Sequence, residues 1–369
     1  MKYYIIAGEP SGDLQASYLV KELKAADPNA EFRCWGGDLM QKQGATIVKH
    51  YDELAFMGIE QVILNIRTIF KNFVFCKADI KAYNPDVLIL VDYPGFNMKI
   101  AKWAKANNVK VFYYISPKIW AWNQKRVYKI KKWIDKMFVI LPFEKEFYAK
   151  FDYEVDFVGH PLLDSINDKP KKNKEEFIKE NNLSNKPIIA ILPGSRKQEI
   201  SKMLTIMIEV VDNFPEYQFV IAGAPSRSLD FYEKYNTKKL PVIENKTYEL
   251  LQSSYAALVA SGTANLETAL LKIPQVLCWK TGWFFFNIGK MVIQVKYISL
   301  VNLIMNREVF NELIQSNLTK ETISEELTKI IQPEGRKKLL EDYEELHKKL
   351  GGPGASKRTA ALIVNYLKN

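Results

Sequence analysis

A carboxylate that directly follows an apolar run is the clearest sign of chemistry in the first half of this sequence. Asp92 comes immediately after the apolar residues 87–91. A buried carboxylate is costly unless it is paired or takes part in a reaction, and it can accept a proton from a hydroxyl. These residues alone leave open the alternative that Asp92 only caps a turn before Pro94.

A second polar segment, Gly-Glu-Pro-Ser-Gly-Asp at residues 8–13, follows the apolar run 3–7 and opens a helical pattern. Its glycines permit tight turns, and a helix N-terminus offers free N–H groups to an anion or a sugar hydroxyl. The spacing differs from the dinucleotide fingerprint, so NAD is not predicted. The alternative is a plain turn in which Ser11 or Asp13 is the N-cap.

Basic and aromatic residues alternate between positions 116 and 136. Seven Lys or Arg side chains occur there with one acid, Asp135, and Trp120 and Trp122 are interleaved with them. Such a composition suits nucleic acid, a phosphate beside an acyl chain, or a lipid headgroup layer. A solvated helix face also explains the lysines, but it does not explain the pair of tryptophans.

Two segments of the second half have the composition of a diphosphate site. Leu-Pro-Gly-Ser-Arg at 192–196 places a forked guanidinium beside a glycine turn. Ser-Gly-Thr-Ala-Asn-Leu-Glu at 261–267 has small residues at a helix start, where a diphosphate can approach free N–H groups, and Glu267 can accept hydrogen bonds from a ribose. Each segment alone is also an ordinary turn with a surface Arg or a helix cap. Together they indicate a nucleotide diphosphate site.

The hydrophobic pattern predicts the scaffold that positions these segments. Apolar runs at 3–7, 87–91, 111–115, 137–141 and 155–158 alternate with helical patterns such as 15–24 and 98–106. A second alternation has its runs at 187–192, 218–222, 256–260 and 275–279. We therefore predict an α/β fold with two doubly wound domains that face each other across a cleft, and ligands beyond the carboxyl ends of the strands.

The predicted domain boundaries follow from breaks in this pattern. The first domain is 1–165, a polar linker is 166–186, the second domain is 187–350, and a C-terminal helix is 351–369 after a Gly-Gly-Pro-Gly break. The tail from residue 321 onward is predicted to be mainly helical.

The composition excludes several classes of protein. With 369 residues, 47% hydrophobic and 25% charged, the chain is globular rather than disordered or fibrous, and its net charge of +10 favours an anionic partner. Three distant cysteines and the lack of metal-ligand spacing argue against a disulfide framework and a metal site, and His160 is best interpreted as structural. Because we find neither a membrane-spanning stretch nor a signal peptide, we predict a cytoplasmic protein.

The ordered set of motifs resembles the lipid-A-disaccharide synthase family over nearly the full chain. Besides the segments above, the set includes Met-Gly-Ile-Glu at 57–60, Leu-Pro-Phe-Glu at 141–144, Gly-His-Pro at 159–161, and Asn-Leu at 302–303 with Arg-Glu at 307–308. The resemblance implies a GT-B glycosyltransferase with two Rossmann-like domains, no metal and no cofactor. The implied reaction joins UDP-2,3-diacylglucosamine to 2,3-diacylglucosamine 1-phosphate with inversion, giving a β-1,6-linked disaccharide 1-phosphate and UDP. Peripheral contact with the anionic inner membrane is also implied.

The resemblance further implies a role for each matching residue. Asp92 is the candidate base for the acceptor 6-hydroxyl, and Glu9 either shares that role or positions the acceptor. The residues assigned to the acceptor are Ser11, Trp122, Lys125 and Arg126. The residues assigned to the UDP-sugar are Ser195, Arg196, Ser261, Gly262, Thr263, Glu267, Asn302, Arg307 and Glu308.

The sequence departs from the family pattern at two positions. Gly95 stands where family members often carry an acidic residue, which leaves Asp92 as the carboxylate of that loop. Val301 stands where a proline commonly precedes the matching asparagine.

Two apolar stretches are candidates for contact with acyl chains or a bilayer. Residues 57–75 are unusually apolar for a surface segment, and Trp-Phe-Phe-Phe at 283–286 has Lys280 and Lys290 nearby. Basic residues beside aromatics favour an anionic leaflet. The alternative for both stretches is a core helix.

Two other functions remain open. Another GT-B enzyme, either a UDP-N-acetylglucosamine transferase or a 2-epimerase, would share the UDP site but would not need the apolar segment 57–75. A nucleic-acid-binding protein would leave Asp92, Arg196 and the helix start at 262–263 without a purpose, so no nucleic-acid partner is expected. The sequence leaves the oligomeric state open.

Overall fold

The computed structural model describes all residues except 55–65, 170–171, 226, 283–285, 287–288, 290 and 292. The chain divides into two compact units. The first unit consists of Met1–Ser165 together with Leu350–Asn369, and the second consists of Ile166–Lys349.

The first unit is built on a parallel sheet with the strand order β3-β2-β1-β4-β5-β6-β7. Its strands are β1 (Lys2–Ala7), β2 (Glu31–Gly36), β3 (Thr46–His50), β4 (Val87–Val91), β5 (Val111–Tyr114), β6 (Lys136–Val139) and β7 (Asp156–Phe157). Its helices are α1 (Pro10–Ala26), α2 (Asp38–Lys42), α3 (Ile66–Tyr83), α4 (Pro94–Ala106), α5 (Val127–Trp133), α6 (Pro142–Ala149) and α7 (Leu162–Asn167), and short 3-10 turns span Tyr51–Leu54, Ile119–Ala121 and Gln124–Arg126.

The second unit repeats this architecture with the strand order β10-β9-β8-β11-β12-β13, again parallel. Its strands are β8 (Ile188–Leu192), β9 (Gln218–Gly223), β10 (Val242–Glu244), β11 (Ser254–Ala260), β12 (Gln275–Trp279) and β13 (Glu312–Ile314). Its helices are α8 (Lys174–Glu180), α9 (Lys197–Met207), α10 (Leu229–Glu233), α11 (Thr247–Ser253), α12 (Thr263–Leu270), α13 (Leu300–Met305), α14 (Lys320–Ile331) and α15 (Pro333–Lys349), with 3-10 turns at Ile208–Asn213 and Gln315–Asn317.

The central strands explain why both sheets are parallel and covered on two faces. Every residue of β4, Val-Leu-Ile-Leu-Val, is buried, and so is every residue of β8. Continuous apolar runs of this kind occur where helices cover both faces of a sheet. The predicted α/β class is therefore confirmed.

The last helix, α16 (Ala355–Lys368), packs on α1 and belongs to the first unit. Its Ala360 and Ile363 are buried in the same core cluster as Leu19 and Val20 of α1. Residues 351–369 were predicted as a separate helix after the second domain. The structure instead returns the chain to the first unit, because one face of this helix is apolar and α1 covers that face.

The predicted linker 166–186 also differs from the structure. This segment contains α8. Phe177 and Ile178 of α8 belong to the core cluster of the second unit that also includes Leu250 and Leu251 of α11, and Phe177 is fully buried. Because charged residues surround these two side chains in the sequence, the composition of the segment indicates a polar linker, although α8 packs into the core of the second unit.

Candidate active site

Strained backbone marks the carboxyl ends of two neighbouring strands in the first unit. Asp92 and Tyr93, just after β4, have φ angles of 45° and 48°, and Ile115, just after β5, has a φ of 66°. A left-handed conformation is uncommon for residues other than glycine, and for a β-branched residue it is an outlier. Such strain persists where the surrounding structure enforces it, and it concentrates at functional sites.

The backbone of Asp92 is fixed by two buried side chains. The Asp92 carbonyl accepts hydrogen bonds from Nδ2 of Asn97, at 2.7 Å, and from the hydroxyl of Tyr113. Asn97 and Tyr113 are both fully buried, and the Asp92 N–H donates to the carbonyl of Tyr114 at 3.1 Å. The carboxylate therefore projects from a backbone that cannot easily move.

The electrostatic environment suits Asp92 as a proton acceptor. Burial raises the pKa of the Asp92 carboxyl above its usual range, the Lys118 ammonium partly offsets this rise, and the Glu9 carboxylate adds to it. A carboxylate with a raised pKa is a stronger base than one in free solution. Glu9 and Lys118 thus act on the same group from two different loops.

Gly8 lets the two carboxylate-bearing loops approach each other. A Cβ on Gly8 would lie 2.3 Å from a ring carbon of Tyr93, a distance that no side chain tolerates. The Tyr93 ring occupies the space that a side chain on Gly8 would need. This close approach is the physical reason for a glycine directly before Glu9.

Glu9 and Asp13, the two acidic residues of the segment 8–13, have different structural positions. Glu9 is the N-cap residue of α1, with Pro10 at the first helical position, and Ser11 is exposed in the first turn. Asp13 is buried and accepts backbone N–H groups of Gly37 at 2.8 Å, Leu39 at 3.1 Å and Met40 at 3.2 Å. The alternative that Ser11 or Asp13 caps α1 is therefore wrong, because Asp13 serves the N-terminus of α2.

The two tryptophans of the basic segment also differ. Trp120 is buried, and its Nε1 donates to Oε1 of Glu144 at 3.0 Å, an oxygen that the hydroxyl of Ser116 also contacts. The other Glu144 oxygen accepts the Leu141 N–H at 2.9 Å at the start of α6. Trp120 is thus part of a structural network.

Trp122, in contrast, is accessible. Its side chain is 41% exposed, and the guanidinium of Arg126 lies 4.4 Å from its ring centre. Lys125 is exposed beside them. These side chains, assigned to the acceptor on the basis of the resemblance, are available to a ligand.

His160 has the structural role that we favoured. It is 8% exposed, and its Nδ1 accepts the Leu162 N–H at 3.2 Å. Burial, together with the Lys118 cation, lowers the pKa of His160 to about 3, so the imidazole is neutral at physiological pH.

In the second unit, the loop after β8 presents an arginine at a helix start. Gly194 has a φ of 105°, and the backbone N–H groups of Ser195 and Arg196 donate to Oε2 of Glu199 at 3.4 and 3.3 Å. Arg196 is the N-cap residue of α9, and its side chain is 76% exposed, 3.5 Å from the other Glu199 oxygen. The guanidinium is therefore positioned but open to a ligand.

The loop after β11 leaves open space at the start of α12. Gly262 is the N-cap residue with a φ of 150°, and a Cβ on it would meet nothing within 4 Å. Ser261 is half-buried and Thr263 is exposed. Asn265 is fully buried, where its side chain pairs with Gln275 and Ser299 and holds the helix in place.

Glu267 faces a cavity of about 480 Å³ in the second unit. Its Oε1 accepts a hydrogen bond from the Tyr248 hydroxyl at 3.1 Å. Burial raises the pKa of Glu267, while that hydrogen bond and the Lys169 cation partly offset the rise. The cavity is also lined by Asn245 and Thr247 after β10. Sequence reasoning missed these residues because it did not find β10, a strand of three residues.

The asparagine of the motif at residues 302–308 is hydrogen-bonded within the second unit. Asn302 is fully buried; its amide donates to the carbonyl of Phe310 at 3.0 Å and to Glu312 at 3.1 Å, and its Oδ1 accepts the Val309 N–H at 2.9 Å. Every polar atom of the Asn302 amide thus has a partner within the second unit, and a UDP-sugar role for Asn302 stays a prediction.

Arg307 and Glu308, the charged residues of the same motif, are more accessible to solvent than Asn302. Arg307 forms ion pairs with Asp342 at 2.8 Å and with Glu345 at 2.6 Å on α15, while Glu308 is exposed. A UDP-sugar role for Arg307 and Glu308 stays a prediction.

The predicted membrane segments are described only in part. Residues 57–65 and 283–285 lie outside the described residues. On α3, Phe70 is 69%, Val74 54% and Phe75 45% exposed, whereas Cys76 and Ile80 are buried. Among the helices that the structure describes, none has the length and apolar character to span a membrane.

Known proteins resemble this chain in sequence and in fold. The lipid-A-disaccharide synthetase family matches residues 3–365. The synthase of Coxiella burnetii (strain CbuG_Q212) is 36% identical over 369 residues, 98% of either chain, and that of Syntrophus aciditrophicus (strain SB) is 36% identical, covering 99% of this chain and 97% of its own.

Solved structures share the GT-B fold at low sequence identity. A UDP-GlcNAc 2-epimerase from Neisseria meningitidis bound to UDP-GlcNAc has a TM-score of 0.67 at 13% identity over 100% of both chains. The S. aureus MnaA–UDP co-structure has a TM-score of 0.69 at 14% identity over 100% of this chain and 97% of its own. With the full-length sequence matches, the chain belongs to the lipid-A-disaccharide synthase family and is a GT-B glycosyltransferase of lipid A biosynthesis.

Proposed function

We propose that the chain joins UDP-2,3-diacylglucosamine to 2,3-diacylglucosamine 1-phosphate with inversion, giving a β-1,6-linked disaccharide 1-phosphate and UDP. The observation that carries the proposal is Asp92, a carboxylate with a raised pKa on a strained and pinned backbone at the end of β4. A single in-line displacement requires one such base for the attacking hydroxyl.

In the proposed reaction, the acceptor 6-oxygen attacks the anomeric carbon of the UDP-sugar. The new C–O bond forms as the bond from that carbon to the β-phosphate oxygen breaks. Asp92 takes the hydroxyl proton, and the departing electron pair goes to UDP. Glu9, at the N-cap of α1, raises the pKa of Asp92, and in this proposal it either shares the role of base or positions the acceptor.

Positive groups in the second unit would stabilise the leaving diphosphate. The Arg196 guanidinium is exposed at the start of α9, and the N-terminus of α12 begins at Gly262, where no side chain fills the space. A guanidinium and the N–H groups of a helix N-terminus can together balance the charge that develops on UDP. We therefore propose that leaving-group departure needs no metal.

The cavity beside Glu267 suits the nucleoside. Its carboxylate can accept hydrogen bonds from the ribose hydroxyls, and Asn245 and Thr247 offer polar groups to the base. The cavity volume of about 480 Å³ lies within the range of ligand pockets.

Contact with a membrane is the remaining part of the proposal. The exposed apolar face of α3, formed by Phe70, Val74 and Phe75, can enter the interfacial layer, and the net charge of +10 favours an anionic leaflet. Liposome flotation with anionic and zwitterionic vesicles tests this contact. We expect Phe70→Ser/Val74→Ser to weaken flotation and to leave UDP binding unchanged.

The reaction itself is tested by incubating the protein with UDP-diacylglucosamine in detergent, with and without the phosphorylated acceptor. We expect UDP release only with the acceptor. UDP release without any acceptor, or formation of a 2-epimer from UDP-N-acetylglucosamine, would contradict the proposal and favour an epimerase.

A further inference from the structure

A cleft between α4 and α5 in the first unit takes no part in the reaction steps described above. It has a volume of about 310 Å³. Helix α4 contributes Met98, Lys99 and Lys102, and α5 contributes Lys129, Ile130 and Trp133. On each helix the third residue lies three and four positions after the adjacent pair that precedes it, so one face of each helix lines the cleft.

All the charged residues that line the cleft are cationic. Four cations line it, Lys99, Lys102, Arg126 and Lys129, and no acidic residue does. Within the described part of the chain, none of the four forms an ion pair with a carboxylate, whereas Lys105, also on α4, pairs with Asp135. Clustered like charges without counter-charges destabilise a fold and attract an anion.

Aromatic rings hold three of these cations in place. The Lys99 ammonium lies 5.2 Å from the ring centre of Phe73, and the Lys102 ammonium lies 5.9 Å from that of Trp133. The Arg126 guanidinium lies over Trp122. Contact with a ring face restrains a cation while leaving its N–H groups free for a ligand.

The remaining lining is apolar, which indicates an amphiphile rather than a simple anion. Met98, Ile119, Ile130 and Trp133 provide this surface. A volume of about 310 Å³ is at the lower limit of ligand pockets, so it suits a sugar phosphate with the beginning of one acyl chain.

One end of the cleft lies at residues that closely follow the candidate base in the sequence. Pro94 and Gly95 line it, two and three positions after Asp92. A Cβ on Gly95 would meet nothing within 4 Å, so this end of the cleft is open. A ligand in the cleft therefore lies beside the loop that carries the base.

We propose that this cleft binds the phosphate end of a phosphorylated glycolipid acceptor, with the phosphate on Lys102 and Lys129 and the apolar part against Met98, Ile130 and Trp133. This inference rests on the proposed function, because the acceptor is the phosphorylated substrate of that reaction. A phosphate monoester carries nearly two negative charges at neutral pH, which matches the unpaired cations.

Steady-state kinetics with two acceptors test the inference. The acceptors are 2,3-diacylglucosamine 1-phosphate and 2,3-diacylglucosamine without the phosphate. In Lys102→Gln and Lys129→Gln we expect KM for the phosphorylated acceptor to rise about tenfold, with little change in kcat or in KM for the other acceptor. Lys132→Gln is the matched control, because Lys132 is exposed on α5 but does not line the cleft.

Two results would overturn the inference. Equal losses with both acceptors would mean that the lysines do not recognise the phosphate. Unchanged kinetics combined with weaker flotation on anionic vesicles would assign them to lipid headgroups instead. If no acceptor is turned over, so that the proposed function fails, direct binding of the phosphorylated glycolipid to wild type and to the variants still decides whether the cleft recognises phosphate.

Discussion

Replacing Asp92 by asparagine separates the proton acceptor from everything else at the end of β4. Asparagine has the same shape and adopts the left-handed conformation more readily than most residues, so it fits the φ of 45° at this position. The hydrogen bonds from Asn97 and Tyr113 go to the backbone carbonyl, which the substitution keeps. The variant therefore loses the basic oxygen and little else.

The expected loss of rate follows from the role of a positioned base. General base catalysis contributes about 10²- to 10⁴-fold, which corresponds to about 2.7–5.4 kcal/mol of transition-state stabilisation. We expect Asp92→Asn to lower kcat by this amount, measured as acceptor-dependent UDP release, and to leave the affinity for UDP unchanged in a calorimetric titration.

The stability of the same variant serves as an internal check. Burial raises the pKa of the Asp92 carboxyl in the folded protein, so its ionised form lowers stability as the pH rises through that pKa. Asparagine removes this cost, and we expect the variant to unfold at the same temperature as wild type or higher at neutral pH. A variant that lost activity because it had unfolded would say nothing about the base. Measuring the unfolding temperature excludes this explanation.

The control for this experiment is Asp86→Asn, at the other end of the same strand. Asp86 is exposed and accepts the Lys2 N–H at 2.7 Å. We expect it to leave kcat near the wild-type value. A near-native rate for Asp92→Asn, or an equal loss in both variants, would refute the assignment of the base.

Three further predictions concern the neighbours of these sites. Lys118→Gln should move the acid limb of the kcat/KM profile to higher pH, because Lys118 lowers the pKa of Asp92; a shift to lower pH would contradict the account. Arg196→Ala should weaken UDP binding about tenfold or more but spare uridine, whereas Glu267→Ala should weaken both; calorimetry with the two ligands shows whether diphosphate and ribose are assigned correctly. Asp13→Ala should lower the free energy of unfolding by roughly 3 kcal/mol, because three backbone N–H groups, two of them in buried hydrogen bonds, lose their acceptor, and Asp13→Asn should lower it less; urea titration that shows no loss would exclude the structural role.

Residues that follow long apolar runs could be predicted from the sequence. The run 87–91 is β4 itself, so the place of Asp92 at the carboxyl end of a central strand followed directly. The same reasoning placed Arg196 after β8 and Gly262 after β11. In each case the apolar run directly before the residue is sufficient to predict its position at the end of a strand.

Roles that depend on distant partners could not be predicted in this way. Asp13 lies in the same segment as Glu9, and only the fold reveals that it binds the backbone of α2. Asn302 matches a family motif, yet its amide is used by residues 309–312. The strand β2 was missed because the charged Glu31 and Arg33 interrupt its apolar pattern, and Arg33 is accommodated by Asp79 of α3 at 2.6 Å.

The cleft between α4 and α5 shows the same limit. Its lysines look like the solvated face of a helix in the sequence, because the spacing of a basic helix is the same whether it faces water or a ligand. Only the packing of the two helices places Lys102 and Lys129 around one cavity.

The most direct test of the central claim is the stoichiometry of one reaction. Purified protein is incubated with UDP-2,3-diacylglucosamine and 2,3-diacylglucosamine 1-phosphate, and UDP and disaccharide are quantified together by mass spectrometry, with the linkage read by NMR. We predict one disaccharide 1-phosphate with a β-1,6 bond for each UDP released. UDP formed without disaccharide, or a disaccharide with retained anomeric configuration, would contradict the account.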